Sequence, residues 1–183
     1  MIAIMQPRLF NLLSALPCDS LQLRAGALLF QQGDRVRRAF AVRSGLVHLL
    51  RRQQDGAEFL LQRAGQGALI AEASLLSARY HCAAEAVVDS QLTSWALSDI
   101  RALLERDGAA ALAYAAHLAS EVRIARLRAE IASLKRVTDR LDAWLAWHEE
   151  GLPDKGQWHH VAREISVSPE ALYREIARRR RQV

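Results

Sequence analysis

The stretch Gln157–Arg181, QWHHVAREISVSPEALYREIARRRR, divides into two helical runs around a three-residue turn, Ser166-Val167-Ser168. Two helices joined by so short a turn form a helix-turn-helix. Ser168 is a good N-cap for the second helix, and Pro169 at its first position lacks only an N–H that would have no partner there. Glu170 places a carboxylate in the first turn, where the helix dipole favours one. Leu172 and Ile176 fall on one face and form a core with Val161, Ala162 and Ile165, while Glu170, Tyr173, Arg174, Ala177, Arg178 and Arg181 share the other. An exposed helix carrying arginines can enter a major groove, where a bidentate guanidinium reads guanine and others hold phosphate. Between residues 157 and 183 six Arg stand against three Glu, and Arg178 to Arg181 are consecutive. That run alone reads equally well as a solvated tail. The capped helix pair ahead of it is what points to DNA.

Upstream, Gly151-Leu152-Pro153 stops a helix and opens a loop. Ser98, followed by Asp99, is expected to cap a helical segment, and residues 109–137 contain neither Pro nor Gly. Ile124, Leu127, Ile131 and Leu134 recur at 3-4-3 spacing, continued by Thr138, Leu141 and Leu145, the pattern of a coiled-coil seam and a candidate dimer interface. The same frame passes upstream through Ser120 and His117, with small Ala115, Ala116 and Ala119 on the neighbouring face. The alternative is one helix packed on its own domain.

Residues 21–95 read as short strands. Apolar runs at 27–30, 40–42, 46–50 and 59–61 are separated by Gly33-Asp34, Ser44-Gly45 and Asp55-Gly56, residues that accept the positive φ of tight hairpins. Residues 63–77 turn Ala- and Leu-rich and are expected to hold a short helix, after which 82–88 and 91–97 read as two closing strands. Many short strands at regular spacing suggest a sandwich or barrel.

The chain has 183 residues, 51% hydrophobic and 25% charged, with net charge +5, the mix of an ordinary soluble protein. The charge permits a polyanionic partner without identifying one. No uninterrupted apolar run of membrane-spanning length is present, and Pro7 and Arg8 fall where a secretory core would sit, so neither a membrane partner nor export is expected. Cys18 and Cys82 have no metal-type spacing, which fits a reduced, cytoplasmic setting.

Across residues 26–181 the chain resembles the Crp/Fnr family of bacterial transcription regulators. The resemblance rests on Leu29-Phe30-Gln31-Gln32-Gly33-Asp34, Ser44-Gly45-Leu46-Val47, Asp55-Gly56, Ala71-Glu72-Ala73-Ser74-Leu75-Leu76, Val137-Thr138-Asp139-Arg140-Leu141 and Val167-Ser168-Pro169-Glu170-Ala171-Leu172-Tyr173-Arg174. It implies an α+β protein. A double-stranded β-helix, the jelly-roll-like sensory β-roll, would occupy residues 1–97. A long dimerisation helix would follow at 98–136, and a helix-turn-helix head at 137–183. It also implies a homodimer that binds a palindromic DNA site, RNA polymerase as a further partner, and an effector in the roll that reorients the DNA heads.

The departures from that pattern shape the expected site. Cyclic-AMP-binding members begin their phosphate cassette with Gly-Glu and close it with Arg-Ser. Here Ala71 precedes Glu72, and His81-Cys82 stand at the close. Glu72, Ala73, Ser74, His81 and Cys82, with Ala125 and Arg126 on the dimer helix, form the candidate effector pocket. Without the closing Arg a nucleotide phosphate loses its fixed cation, so cyclic AMP is not expected and the effector is unknown. A low-pKa Cys82 beside a protonated His81 would suit redox sensing, and the same pair could ligate haem or a metal. The plainer reading is a locally bonded His81 and a small buried Cys82. In the head, Gln157, His159, Ser168, Pro169, Glu170, Tyr173, Arg174 and Arg178 are the candidate DNA contacts, with Glu170 accepting from a cytosine amino group and Arg174 reading guanine. Ser166 takes a turn position where the family often has Gly, at a mild backbone cost. The sequence ends at Val183, where the family's β-wing would follow, and Arg178 to Arg181 are expected to compensate in phosphate anchoring.

The expectation is therefore a sequence-specific, homodimeric DNA-binding regulator controlled by a signal other than cyclic AMP. The alternative is a dimeric sensory or interaction module that has lost specific DNA binding. No Walker loop, HExxH or GxSxG motif suggests an enzyme.

Overall fold

Short runs with alternating side chains need a partner sheet to cover their apolar face, and this chain supplies two. The computed structural model describes residues 5, 7–53, 58–148 and 151–181. The expected turn at Asp55-Gly56 lies outside the described residues. The strands are β1 (Asp19–Leu23), β2 (Leu28–Phe30), β3 (Arg38–Ser44), β4 (Val47–Arg52), β5 (Glu58–Ala64), β6 (Leu69–Ile70), β7 (Ala83–Ala86) and β8 (Ser90–Ala96). One sheet has the order β1-β8-β3-β6 and the other β2-β7-β4-β5, with every neighbouring pair antiparallel. Strands that change sheet at every connection except the β4–β5 pair are the mark of a jelly-roll-type β-roll. Phe40 pairs with Ser94 in the first sheet and Val47 with Ala86 in the second. Between β3 and β4, Gly45 has φ +96°, and a Cβ there would come within 2.7 Å of the Asp89 carbonyl oxygen. Only glycine fits that turn.

Leu49, Leu69, Ile70, Leu75, Leu92 and Trp95 are buried between the sheets. A helix that precedes the strands, α1 (Pro7–Ser14), seals part of this core with Leu9 and Leu13. Its leucines stand one turn apart, but eight residues are shorter than the window over which helical periodicity is read, so the sequence carries no expectation of it. The short helix expected within 63–77 is present only as a single 3-10 turn. β5 runs on to Ala64, β6 follows, and only a 3-10 turn at Glu72–Ser74 remains. β-pairing has overridden local helix propensity.

Residues 98–136, expected as one helix, hold most of α2 (Leu97–Arg106) and all of the 26-residue α3 (Gly108–Ser133). Ser98 is not the cap. β8 passes directly into α2, Ala96 holds the N-cap position without a side-chain bond, and Ser98 donates weakly to Asp99 instead. The effective cap lies further on, where Asp107 Oδ1 accepts from the backbone N–H groups of Ala109 (2.8 Å) and Ala110 (3.2 Å) at the start of α3. The chain divides into two compact units, Met1–Glu121 and Val122–Val183, with the boundary inside α3.

In the second unit, α3 stops at Ser133, Arg136 is extended, and α4 (Val137–Ala146) begins anew. The seam therefore does not continue as one helix through Thr138, Leu141 and Leu145. The helices α5 (Trp158–Glu164) and α6 (Pro169–Arg180) complete the unit. Leu141, Trp144, Trp158, Val161, Ala162, Ile165, Leu172 and Ile176 are buried in it, which joins the two helix faces expected to meet. Among the described residues no helix is long and apolar enough to cross a membrane.

Candidate nucleic-acid interface and effector cassette

The helix-turn-helix is closed by a Schellman motif at the end of α5. Val167 N–H donates to Ala162 O (2.9 Å), Ser166 N–H donates to Arg163 O (3.2 Å), and Ser166 has φ +56°. Serine thus holds the left-handed position that glycine would occupy without strain. Ser168 then caps α6, its Oγ accepting from Ala171 N–H at 3.2 Å, with Pro169 in the first turn. The Glu170 carboxyl is held below its ordinary range by its own backbone N–H, then by the Ser168 hydroxyl and the nearby Arg174 charge.

Arg174 is exposed and makes no hydrogen bond or ion pair among the described residues. Gln157, His159, Ser168 and Glu170 are exposed as well, and Pro169 is half-buried. Two expected contacts face a different environment. Tyr173 is half-buried, its ring 5.4 Å from that of Trp158. Arg178 is turned back onto its own helix, donating to Glu175 at 2.9 and 2.7 Å.

The run Arg178–Arg181 is likewise no uniform basic tail. Arg179 donates to Glu175 (2.8 Å), Asp142 (2.7 Å) and Thr138 O (3.1 Å), and Arg180 lies 5.2 Å over the Trp158 ring. Glu175, buried at 8% exposure, is the anchor. Hydrogen bonds from Arg178, then Arg179 and Thr138, pull its carboxyl down to about 2 despite burial. The spacing of Glu175 to Arg178 and Arg179, three and four residues, is the signal that would have revealed it.

At the cassette, Ala71 adopts φ 52°, ψ 43°, the left-handed conformation, and Glu72 opens the 3-10 turn. Gln62 reaches over from β5. Its Nε2 donates to Glu72 Oε2 (3.0 Å) and Leu69 O (3.1 Å), and its Oε1 accepts from Ala71 N–H (3.3 Å). Tyr114 on α3 donates its hydroxyl to Glu72 O at 2.7 Å. Buried Ser74 Oγ lies 3.0 Å from His81 Nδ1. Ala73 is exposed, while Ala125 and Arg126 are exposed on α3 within the second unit. Neither Gln62 nor Tyr114 was legible in the sequence, because both act across separations of seven residues or more, beyond any local pattern.

The redox expectation does not survive this geometry. Cys82 is fully buried, and desolvation pushes its thiol up to about 11, with Glu72 adding to the effect and Arg51 opposing it. Burial, then the Arg51 charge, lowers His81, which favours the uncharged imidazole as the hydrogen-bonding partner of Ser74. The plainer role of the pair is the one observed. Among the described residues no three His, Cys, Asp or Glu converge to hold a metal. His117 on α3 is 1% exposed, and neither of its ring nitrogens meets a partner among the described residues.

Along α3, Leu127 and Ile131 are buried within the single chain, and Ile124 and Leu134 are half-buried. The apolar surface left open on this helix is a neighbouring stripe, Leu112, Ala115, Ala119 and Val122, with Leu112 at 65% and Val122 at 47% exposure.

Comparison with known proteins agrees with the architecture. Residues 20–107 match the cyclic nucleotide-binding domain family. A cyclic AMP receptor protein of Thermus thermophilus is 35% identical over 155 residues, 82% of this chain and 72% of that protein. The structure of FixK2 from Bradyrhizobium japonicum superposes with TM-score 0.75 at 18% identity, covering 91% of this chain and 86% of that one. The catabolite activator protein structure of Thermus thermophilus gives TM-score 0.57 at 28% identity, over 97% and 85% of the two chains.

Proposed function

We propose a function from one premise: the chain belongs to the Crp/Fnr family of transcription regulators. It acts as a homodimer that binds a two-fold-related DNA site sequence-specifically and responds to a signal other than cyclic AMP. The observation that carries the DNA reading is the capped helix α6, which presents Arg174 exposed and unpaired one turn beyond Glu170. A free guanidinium at that place suits bidentate contact with guanine, and the neighbouring carboxylate suits a cytosine amino group. Arg178 and Arg179, already engaged by Glu175, have less left for phosphate, so Arg181, Gln157 and His159 are the phosphate contacts beside the base contacts of Arg174 and Glu170.

Dimerisation is best served by Leu112, Ala115, Ala119 and Val122, whose 3-4-3 spacing forms an exposed stripe of small and apolar residues. Two heads brought together by such a seam would present their recognition helices about 34 Å apart, one turn of the duplex. The non-nucleotide signal is supported by the cassette. Gln62 occupies the Glu72 carboxylate that would take a ribose hydroxyl, and His81-Cys82 supply no fixed cation for phosphate.

Selection of bound duplexes from a random pool, followed by anisotropy titration, tests the reading. Enrichment of a palindrome bound with steep salt dependence is the expected result. Binding without sequence preference would make the protein a dimeric sensory module instead. Calorimetry with cyclic AMP should register no heat of binding, and micromolar affinity would overturn the non-nucleotide assignment.

A further inference from the structure

The geometry points to Arg140 as a positioning residue that locks the end of the long helix to the helix-turn-helix turn and so fixes the aim of α6. From α4 its guanidinium donates four hydrogen bonds in two directions. Nε reaches Leu134 O (2.7 Å) and Nη2 reaches Ala132 O (2.8 Å), both at the C-terminus of α3. Nη1 reaches Ile165 O (3.1 Å) and Ser166 O (2.6 Å), in the turn that ends α5.

The carbonyls at a helix C-terminus lack intrahelical partners and carry the negative end of the dipole. One cation therefore serves two helix ends. Two residues after Ser166 comes Ser168, the cap that starts α6, so the direction of the recognition helix depends on where that turn is held. Ser166 has φ +56°, and its carbonyl oxygen accepts the shortest of the four bonds. The clamp offsets the strain of a non-glycine residue there. A planar fork with five donors can span acceptors in two directions, whereas an ammonium concentrates its donors at one point. Arg140→Lys should keep the charge and lose the lock.

The consequence for DNA rests on the proposed function, so the test has two separable arms. In the full chain carrying Cys18→Ser and Cys82→Ala, spin labels placed by Ala129→Cys on α3 and Ala177→Cys on α6 report the intrachain distance distribution after dilution with unlabelled protein. Arg140→Lys is expected to broaden that distribution about twofold while the far-ultraviolet helix signal stays unchanged. On a selected palindrome it should bind about tenfold more weakly, the equivalent of about 1.4 kcal/mol. The salt slope should remain that of the parent, and the penalty for moving the half-sites by one base pair should shrink. Arg140→Met should exceed it in both arms. An unbroadened distribution in both variants would overturn the lock, whatever happens to DNA binding. Loss of the helix signal in Arg140→Lys would make Arg140 a folding residue and overturn the positioning role. Should the parent bind no duplex, the DNA reading falls while the distance measurement still decides the clamp.

Discussion

The cassette of the roll and the turn of the head solve the same backbone problem with different chemistry. Each contains a non-glycine residue in the left-handed region, Ala71 at φ 52° and Ser166 at φ 56°. Each is held by one long side chain from a neighbouring element. Gln62 bonds Ala71 N–H, Leu69 O and the Glu72 carboxylate, and Arg140 bonds the carbonyls of Ile165 and Ser166. The difference is charge. A buried neutral amide with donor and acceptor together closes the cassette on itself and leaves its carboxylate occupied. A cation that meets only carbonyls ties two helix ends and leaves the outward face of α6 free. The roll is internally satisfied where a ligand would be expected, while the head keeps Arg174 without a hydrogen bond and leaves both it and Glu170 exposed to solvent.

That contrast can be broken most forcefully at Gln62. Replacing it by Met leaves the buried Ala71 N–H without its partner and takes one hydrogen bond from the half-buried Glu72 carboxylate, which should cost about 3 kcal/mol. Urea unfolding read by hydrogen exchange should place the loss in the β3 and β8 amides and not in α6. A loss shared equally by the head would dissolve the distinction. Next in size is Arg174→Ala, which should leave stability unchanged and reduce discrimination at one base position by about 2 kcal/mol. If all sequences weakened alike, Arg174 would be a phosphate contact only.

Ala71→Gly and Ser166→Gly each relieve left-handed strain and should stabilise their own unit by about 1 kcal/mol, measured by thermal or urea unfolding. A larger gain at Ser166 than at Ala71 would show that the charged clamp offsets strain less completely than the amide does.

Mild acid gives the smallest effect and the sharpest separation. His81 is lowered from its ordinary 6.5 by burial and then by Arg51, and His117 is lowered by burial. For a histidine lowered on folding the unfolded chain binds more protons, so stability is full above 6.5 and declines as pH falls below it. The head carries Glu175, lowered from 4.5 to about 2, whose contribution is full above 4.5 and fades only as pH drops through that interval. Between pH 7 and 5 the roll should lose protection in hydrogen exchange while α6 keeps it. Parallel decline of both units would remove these histidines from the account.

Much of this was written along the chain. The turn signals at Gly33-Asp34 and Ser44-Gly45, the cap Ser168-Pro169 and the apolar spacing of Val161, Ile165, Leu172 and Ile176 act over a few residues, so they mark the strand ends, the helix pair and its exposed Arg174 without reference to the rest. The two turns carry the chain from one sheet to the other and do not close the hairpins expected of them. What local pattern could not determine is which polar groups meet. The helix expected near residues 63–77 yielded to pairing with distant strands, and the seam through Leu127 and Ile131 turned inward within its own chain. Arg178 and Arg179 folded back on Glu175. Gln62 with Glu72 and Arg140 with Ser166 are joined only once separate elements have packed, because a hydrogen bond needs its donor within about 3 Å of its acceptor. Spacing in sequence fixes which face a residue occupies. Only the assembled fold decides what stands opposite it.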